Sequence, residues 1–165
     1  MALADFTTFN DIRAALGVSE DEIEDATLSL QVYEFSLVSE MEDINESLIS
    51  GIATVREIDP GQRTAVQTRL IQTATLFATY SVARHLTTSL PLFSPKDITD
   101  GKASISRYAA NPYKDVIDRV ERLFERFKAR LAEVYASYSS QSVTASVART
   151  YFAKSTPSTD PVTGS

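Results

Sequence analysis

Few residues in this sequence can do acid–base, metal or nucleophilic chemistry, and their spacing limits what they can do. The single histidine, His85, lies in an apolar stretch beside Arg84, with Ser81 four residues before it. Imidazole is the natural proton carrier near neutral pH. A catalytic base, however, needs an oriented acid or nucleophile against it, and no acid stands at helical spacing from His85. A polar residue serving structure is the better reading.

The carboxylates are more numerous. Residues 20–25 hold five acids in six positions: Glu20, Asp21, Glu22, Glu24 and Asp25. A calcium loop alternates its ligands and turns on a central glycine, and neither feature is present. A solvated helix start is expected there. Glu40, Glu42, Asp43 and Glu46 form a second patch. Glu42 and Glu46 share one helix face, but a di-metal carboxylate site also needs histidine, and none adjoins. With no cysteine there is no thiolate, disulfide or Cys-based zinc site.

The sequence has no Gly-x-Ser-x-Gly, no Ser-x-x-Lys with partners, and neither glycine-rich phosphate-loop pattern. Asp100-Gly101-Lys102 has one glycine and reads as a hairpin turn. The expectation is a chain with no catalytic, metal or cofactor-binding residues, and so not an enzyme. An enzyme using the carboxylates is the weakest of three readings.

Its 165 residues, 43% hydrophobic and 23% charged, suit one folded domain plus an appendage. No stretch approaches the roughly 18 apolar residues of a membrane span. The start, Met-Ala-Leu-Ala-Asp-Phe, lacks the basic region of a secretory signal, so no membrane is expected as a partner. The net charge of −6 is unevenly spread. Residues 1–59 set 14 acids against Arg13 and Arg56, a balance of −12; residues 60–165 set 14 bases against 8 acids, a balance of +6. Oppositely charged halves can pack head to tail, although solvated charge without a partner gives the same count.

Helical periodicity runs through most of the chain. A short helix is predicted at Thr8–Leu16, capped by Thr7 or Thr8 and stopped by Gly17. Ser19 and Glu22 form a capping box for a turn or two. A longer helix is predicted over Thr27–Ile44, with Leu30, Tyr33, Leu37, Met41 and Ile44 on one side and Glu34, Glu40, Glu42 and Asp43 on the other. Residues 45–58 read as mostly loop. Asp59-Pro60 signals a helix running to about Thr88, with Leu70–Leu86 apolar or small nearly all round. Residues 91–111 read as an excursion containing a short hairpin. Asn111-Pro112 opens the last long helix, whose stripe is Val116, Val120, Leu123, Phe127, Leu131 and Val134. Its arginines and lysines interleave with acids, so sequence-specific DNA binding is not expected. From Ser139 the composition turns polar, and Val143, Ala145 and Val147 alternate as in a strand. The expected architecture is all-α. A helical domain at 1–138, with a long loop or hairpin between its last two long helices, precedes an extended arm at 139–165.

Five stretches, in order, carry a resemblance: Asp11–Ser19, Leu76–Ala83, Leu90–Lys96, Ile98–Ala103 and Asn111–Asp115. Together they resemble the head–tail connector (adaptor, or head-completion) proteins of tailed double-stranded-DNA bacteriophages, over about residues 9–138. The resemblance implies a virion protein whose copies form a ring, expected to be dodecameric, under the portal protein. That ring would extend the DNA channel, pass DNA without reading its sequence, and present a surface to the next tail component. It also implies a C-terminal arm that anchors on the portal; from the arm's composition, strand- or clamp-like docking on the portal or an adjacent subunit is expected, with Val143, Val147, Tyr151 and Phe152 as anchors. A loop carrying Ile98, Asp100, Gly101, Lys102 and Arg107 is expected to touch a neighbouring ring or tail component. Acids on the channel wall would keep DNA from adhering. The rival reading of the same residues is a free helical binding or scaffold protein outside any virion.

Overall fold

The computed structural model describes residues 2–87, 97–100, 103–106 and 114–153, with side chains for 2–87 and 114–141. The Thr8 hydroxyl accepts from the Asp11 N–H at 3.1 Å and opens α1, Phe9–Leu16. Gly17, at φ 76°, closes it in the left-handed region that glycine enters without penalty. The Ser19 N–H donates to Glu22 Oε2 at 2.8 Å, and one turn forms over a buried Ile23.

The helix expected over Thr27–Ile44 is two helices, α2 (Asp25–Leu28) and α3 (Gln31–Ile44). The Ser29 hydroxyl donates to the Ala26 carbonyl, and Leu30 is extended at ψ 129°. The break takes Leu30 off the predicted apolar stripe: Leu28 is fully buried and Leu30 is 52% exposed. Leu37 and Met41 hold the stripe as expected. Glu40 does not stay on the outer side assigned to it. It lies between Leu37, Met41 and Ile44 on the helical net, and its side chain is only 14% exposed.

Residues 45–58, expected to be mostly loop, contain α4 (Leu48–Arg56). Extended Asn45 ends α3, and its side-chain oxygen accepts from the Ser47 N–H at 2.9 Å. Leu48, Ile52 and Val55 then fall on one face, all fully buried. Burial of that face outweighs the weak local signals of Ser50 and Gly51. Gly51 has its own reason: a Cβ there would lie 2.8 Å from Tyr135 Cε2.

Asp59-Pro60 opens only a 3-10 turn, Pro60–Gln62, and not the long helix predicted from it. Arg63 is extended at ψ 137°. Its guanidinium folds back onto the end of α4, donating to the carbonyls of Val55, Arg56 and Ile58 at 2.9–3.2 Å, where a cation complements the helix dipole. The long helix, α5 (Ala65–Thr87), starts after a second box, in which the Thr64 N–H donates to Gln67 Oε1 at 2.8 Å and the Gln67 N–H donates to Thr64 Oγ1 at 3.3 Å.

Helix α5 is the centre of an all-α bundle. It packs on α1, α3, α4 and, most extensively, on α6 (Lys114–Ala153). Its Leu70, Ala74, Phe77, Ala78, Val82 and Ala83 are fully buried, as its all-round apolar character predicts; Leu76, at 41% exposed, is the exception. Phe77 packs on Phe124 with ring centroids 5.5 Å apart, and Tyr80 stacks on Phe127 at 5.4 Å. Between α5 and α6 an antiparallel hairpin joins β1 (Asp97–Asp100) and β2 (Ala103–Ser106), as its turn signal predicts.

The arm expected to be extended from Ser139 is helical through Ala153. No proline or glycine interrupts Lys114–Ala153, and a helix already nucleated gains one hydrogen bond for each further residue it fixes. Alternating valines are too weak a signal to stop it. Residues 154–165 lie outside the described residues. At 40 residues, α6 spans about 60 Å, against 23 residues for α5, its main partner. Among the described residues no helix is long and apolar enough to cross a membrane.

Candidate interaction site

The groups singled out for chemistry converge on structure. Ser81, fully buried, donates its hydroxyl proton to Glu40 Oε2 at 2.5 Å. Arg84 donates to Glu40 Oε1, and His85 Nε2 stands 3.3 Å from the same oxygen. The Arg84 guanidinium also lies 3.9 Å over the Phe124 ring and 3.9 Å from Glu121 Oε1. Serine and histidine thus share one carboxylate rather than facing each other. The hydroxyl bonds to the Glu40 carboxylate directly, with no imidazole between them, so the set lacks the acid–histidine–serine order of a nucleophilic triad. It ties α3 to the C-terminal part of α5. His85 finds its acid 45 residues upstream, which no helical spacing within α5 could reveal. The signal available was the position of Glu40 among Leu37, Met41 and Ile44.

Arg13 makes a second tie. Its side chain is 6% exposed. Nε donates to the Ile23 carbonyl at 2.9 Å, and the two terminal nitrogens donate to Asn10 Oδ1 and Asp25 Oδ1. The acidic run is therefore only partly a solvated helix start: Asp25 anchors α1 to α2, while Glu20, Asp21, Glu22 and Glu24 face solvent. The other base of this half, Arg56, packs 5.0 Å over the Phe6 ring. With Arg13 buried and Arg56 half-buried against Phe6, the exposed charge of residues 1–59 is mainly acidic. Among the described residues no cluster of three or more potential metal ligands forms.

Among the described residues two outer surfaces bear on interaction. The first is the outer side of α3, where Val32 is 57% and Phe35 65% exposed, followed by exposed Ser39, Glu42 and Asp43. The sequence signal was present, since Val32 and Phe35 are apolar where the amphipathic pattern demands polar residues. The second is a groove of about 620 Å³ between α5 and α6, lined by Arg69 and Thr73 of α5 and by Arg126, Phe127, Ala129, Arg130 and Glu133 of α6. Arg130 pairs with Glu133 at 2.9 Å. Glu121, beside Arg84, marks the α3 side of α6; Arg126 is five residues on, about 140° around the helix. The groove and the α3 surface therefore lie on different sides of the bundle.

Of the residues expected to bind partners, Ile98 sits in β1 opposite Ile105, and Asp100 opposite Ala103. The hairpin brings these two onto one element, while Gly101, Lys102 and Arg107 lie outside the described residues. Val143, Val147, Tyr151 and Phe152 lie within α6, not on a strand. Positions 143, 147 and 151 recur every four residues of that helix. Comparison with protein-family models, with curated proteins and with solved structures gives no match.

Proposed function

We propose that the chain is a structural, non-enzymatic subunit that forms a ring beneath the portal of a tailed bacteriophage, joins head to tail and continues the DNA channel. One observation carries the reading. Of the segments that resemble connector proteins, Asp11–Ser19 runs through α1 and Leu76–Ala83 lies in the buried central helix of an all-α bundle, which has a hairpin ahead of a long final helix. The oppositely charged halves add support, because a ring of identical subunits needs two different complementary surfaces on each copy. The portal, the next tail component and further copies of the chain are the partners. DNA passes without sequence-specific contact.

The test is mass in solution together with negative-stain microscopy, with and without a candidate portal protein. A ring of defined symmetry, alone or on the portal, is the expected result. A monomer or dimer that ignores the portal overturns the reading in favour of a free helical binding or scaffold protein. Deleting 139–165 leaves α6 its core positions through Tyr138, so the expected outcome is an intact fold that no longer binds portal. Replacing 96–107 by a short linker is expected to disturb assembly without unfolding the bundle.

A further inference from the structure

We propose that the outer side of α3 in one copy packs into the α5/α6 groove of the next copy. The contact deepens the ring reading and takes from it only the idea that the contact repeats. Its parts are on the molecule itself. Val32, Phe35, Ser39 and Glu42 recur at three- and four-residue spacing, the spacing by which one helix packs along another. They lie on the side of α3 away from buried Leu37 and Met41. Phe35, the most exposed large hydrophobic residue on that side, gives an apolar knob for a groove that has half-buried Phe127 in its lining and exposed Ala129 at its edge.

Charge fixes the occupant. Glu42 and Asp43 follow the knob two turns on along the same side of α3; the groove carries Arg69, Arg126 and Arg130 against the single acid Glu133, which pairs with Arg130 and leaves Arg69 and Arg126 in excess. Opposite charges at the rim select partners and set register. The two surfaces sit on different sides of the bundle, so a copy cannot satisfy one with the other. Two copies joined this way each keep one surface open, which is the heterologous contact that closes into rings. One helix in one groove is at the small end of protein interfaces, so each contact is weak alone and is strengthened when a ring closes.

A weak contact calls for a chemical readout, and the full-length chain, which has no cysteine, allows a clean one. Ser39→Cys, exposed on the same side of α3 and leaving the Phe35 knob in place, and Ala129→Cys are made separately and mixed at high protein concentration with a short bismaleimide. Thr54→Cys, exposed on α4, reports random collision. The unlike pair S39C plus A129C is expected to give cross-linked dimer several-fold above S39C alone, A129C alone, or T54C with either. Adding Arg69→Glu and Arg126→Glu to the A129C chain is expected to remove most of that excess. Raising salt toward 1 M, where screening shortens to about 3 Å, is expected to lower it. Equal yields for like and unlike pairs, or no dimer above the T54C background, overturn the proposal. A chain that rings on the portal without this cross-link loses the contact and keeps the function; one that cross-links but ignores the portal does the reverse.

Discussion

Helix α3 carries hydrophobic and acidic residues on both of its sides, and the two sides use them differently. On the inner side Leu37 and Met41 are buried, and Glu40 is held by Ser81, Arg84 and His85. On the outer side Val32 and Phe35 are more than half exposed beside Glu42 and Asp43. Residue type therefore does not separate core from surface here, or structural charge from interaction charge. Position on the helix does. The inner side contributes to stability through burial and satisfied charge; the outer side contributes little to the isolated fold and is available to a partner.

The largest effect expected is on that contrast. Leu37→Ala should cost about 2–5 kcal/mol, since it deletes buried atoms and leaves a cavity. Phe35→Ala, the bulkier truncation on paper, should stay within about 0.5 kcal/mol in the isolated chain. Urea denaturation of both variants checks this. A Phe35→Ala loss comparable to that of Leu37→Ala would mean the outer side is covered within the chain, and the comparison would collapse.

Next comes the carboxylate. Glu40→Ala leaves the buried Ser81 hydroxyl without its acceptor and Arg84 without its nearest acid, an expected loss of about 1–3 kcal/mol. Glu42→Ala, two residues on and solvent-facing, should change stability by no more than about 0.5 kcal/mol. Equal losses in thermal unfolding would show that Glu40 is no more engaged than its neighbour.

These pairs also show what the sequence made legible. The helical class, the α1 cap at Thr8, the Gly17 stop, the core stripe of α6 and the hairpin follow from local rules that act within a few residues. The start of α5 at Ala65 was also within local reach, in the Thr64-Gln67 box, but the Asp59-Pro60 signal upstream pointed to an earlier start. The inward turn of Glu40 depends on contacts between distant segments. So does the formation of α4: its Gly51 reads locally as a break, yet it exists to admit Tyr135, 84 residues away. The candidate surfaces were partly legible. Charge asymmetry showed in the counts, and Val32 and Phe35 broke the amphipathic pattern. That Arg69 and Arg126 share a groove follows only from α5 packing along α6.

Gly51→Ala sets two effects against each other. Alanine gains about 1 kcal/mol over glycine in a helix interior. The new Cβ, however, meets Tyr135, whose hydroxyl donates to the Ser47 carbonyl at 2.8 Å and so resists moving. Displacing a packed ring costs about 1–3 kcal/mol, so a modest net loss is expected. Tyr135→Ala in the Gly51→Ala background should remove that penalty, giving a coupling energy in a double-mutant cycle. No coupling would mean the ring swings clear.

The smallest effect sharpens the contrast by titration. Burial on the inner side of α3 pushes the Tyr33 phenol above its ordinary value of 10.0. The unfolded chain then loses this proton first, so the contribution is complete below pH 10 and is lost as pH rises through the higher folded value. Tyr33→Phe should flatten the alkaline fall in stability slightly. Phe35→Tyr, two positions away on the outer side, should add a phenol that titrates as a solvated one, because little is desolvated there. Ultraviolet titration of the two variants against the parent chain reads both. If the tyrosine introduced at 35 titrated as high as the native one at 33, the outer side would be buried in solution, and the first place to look for its cover would be the groove of another copy.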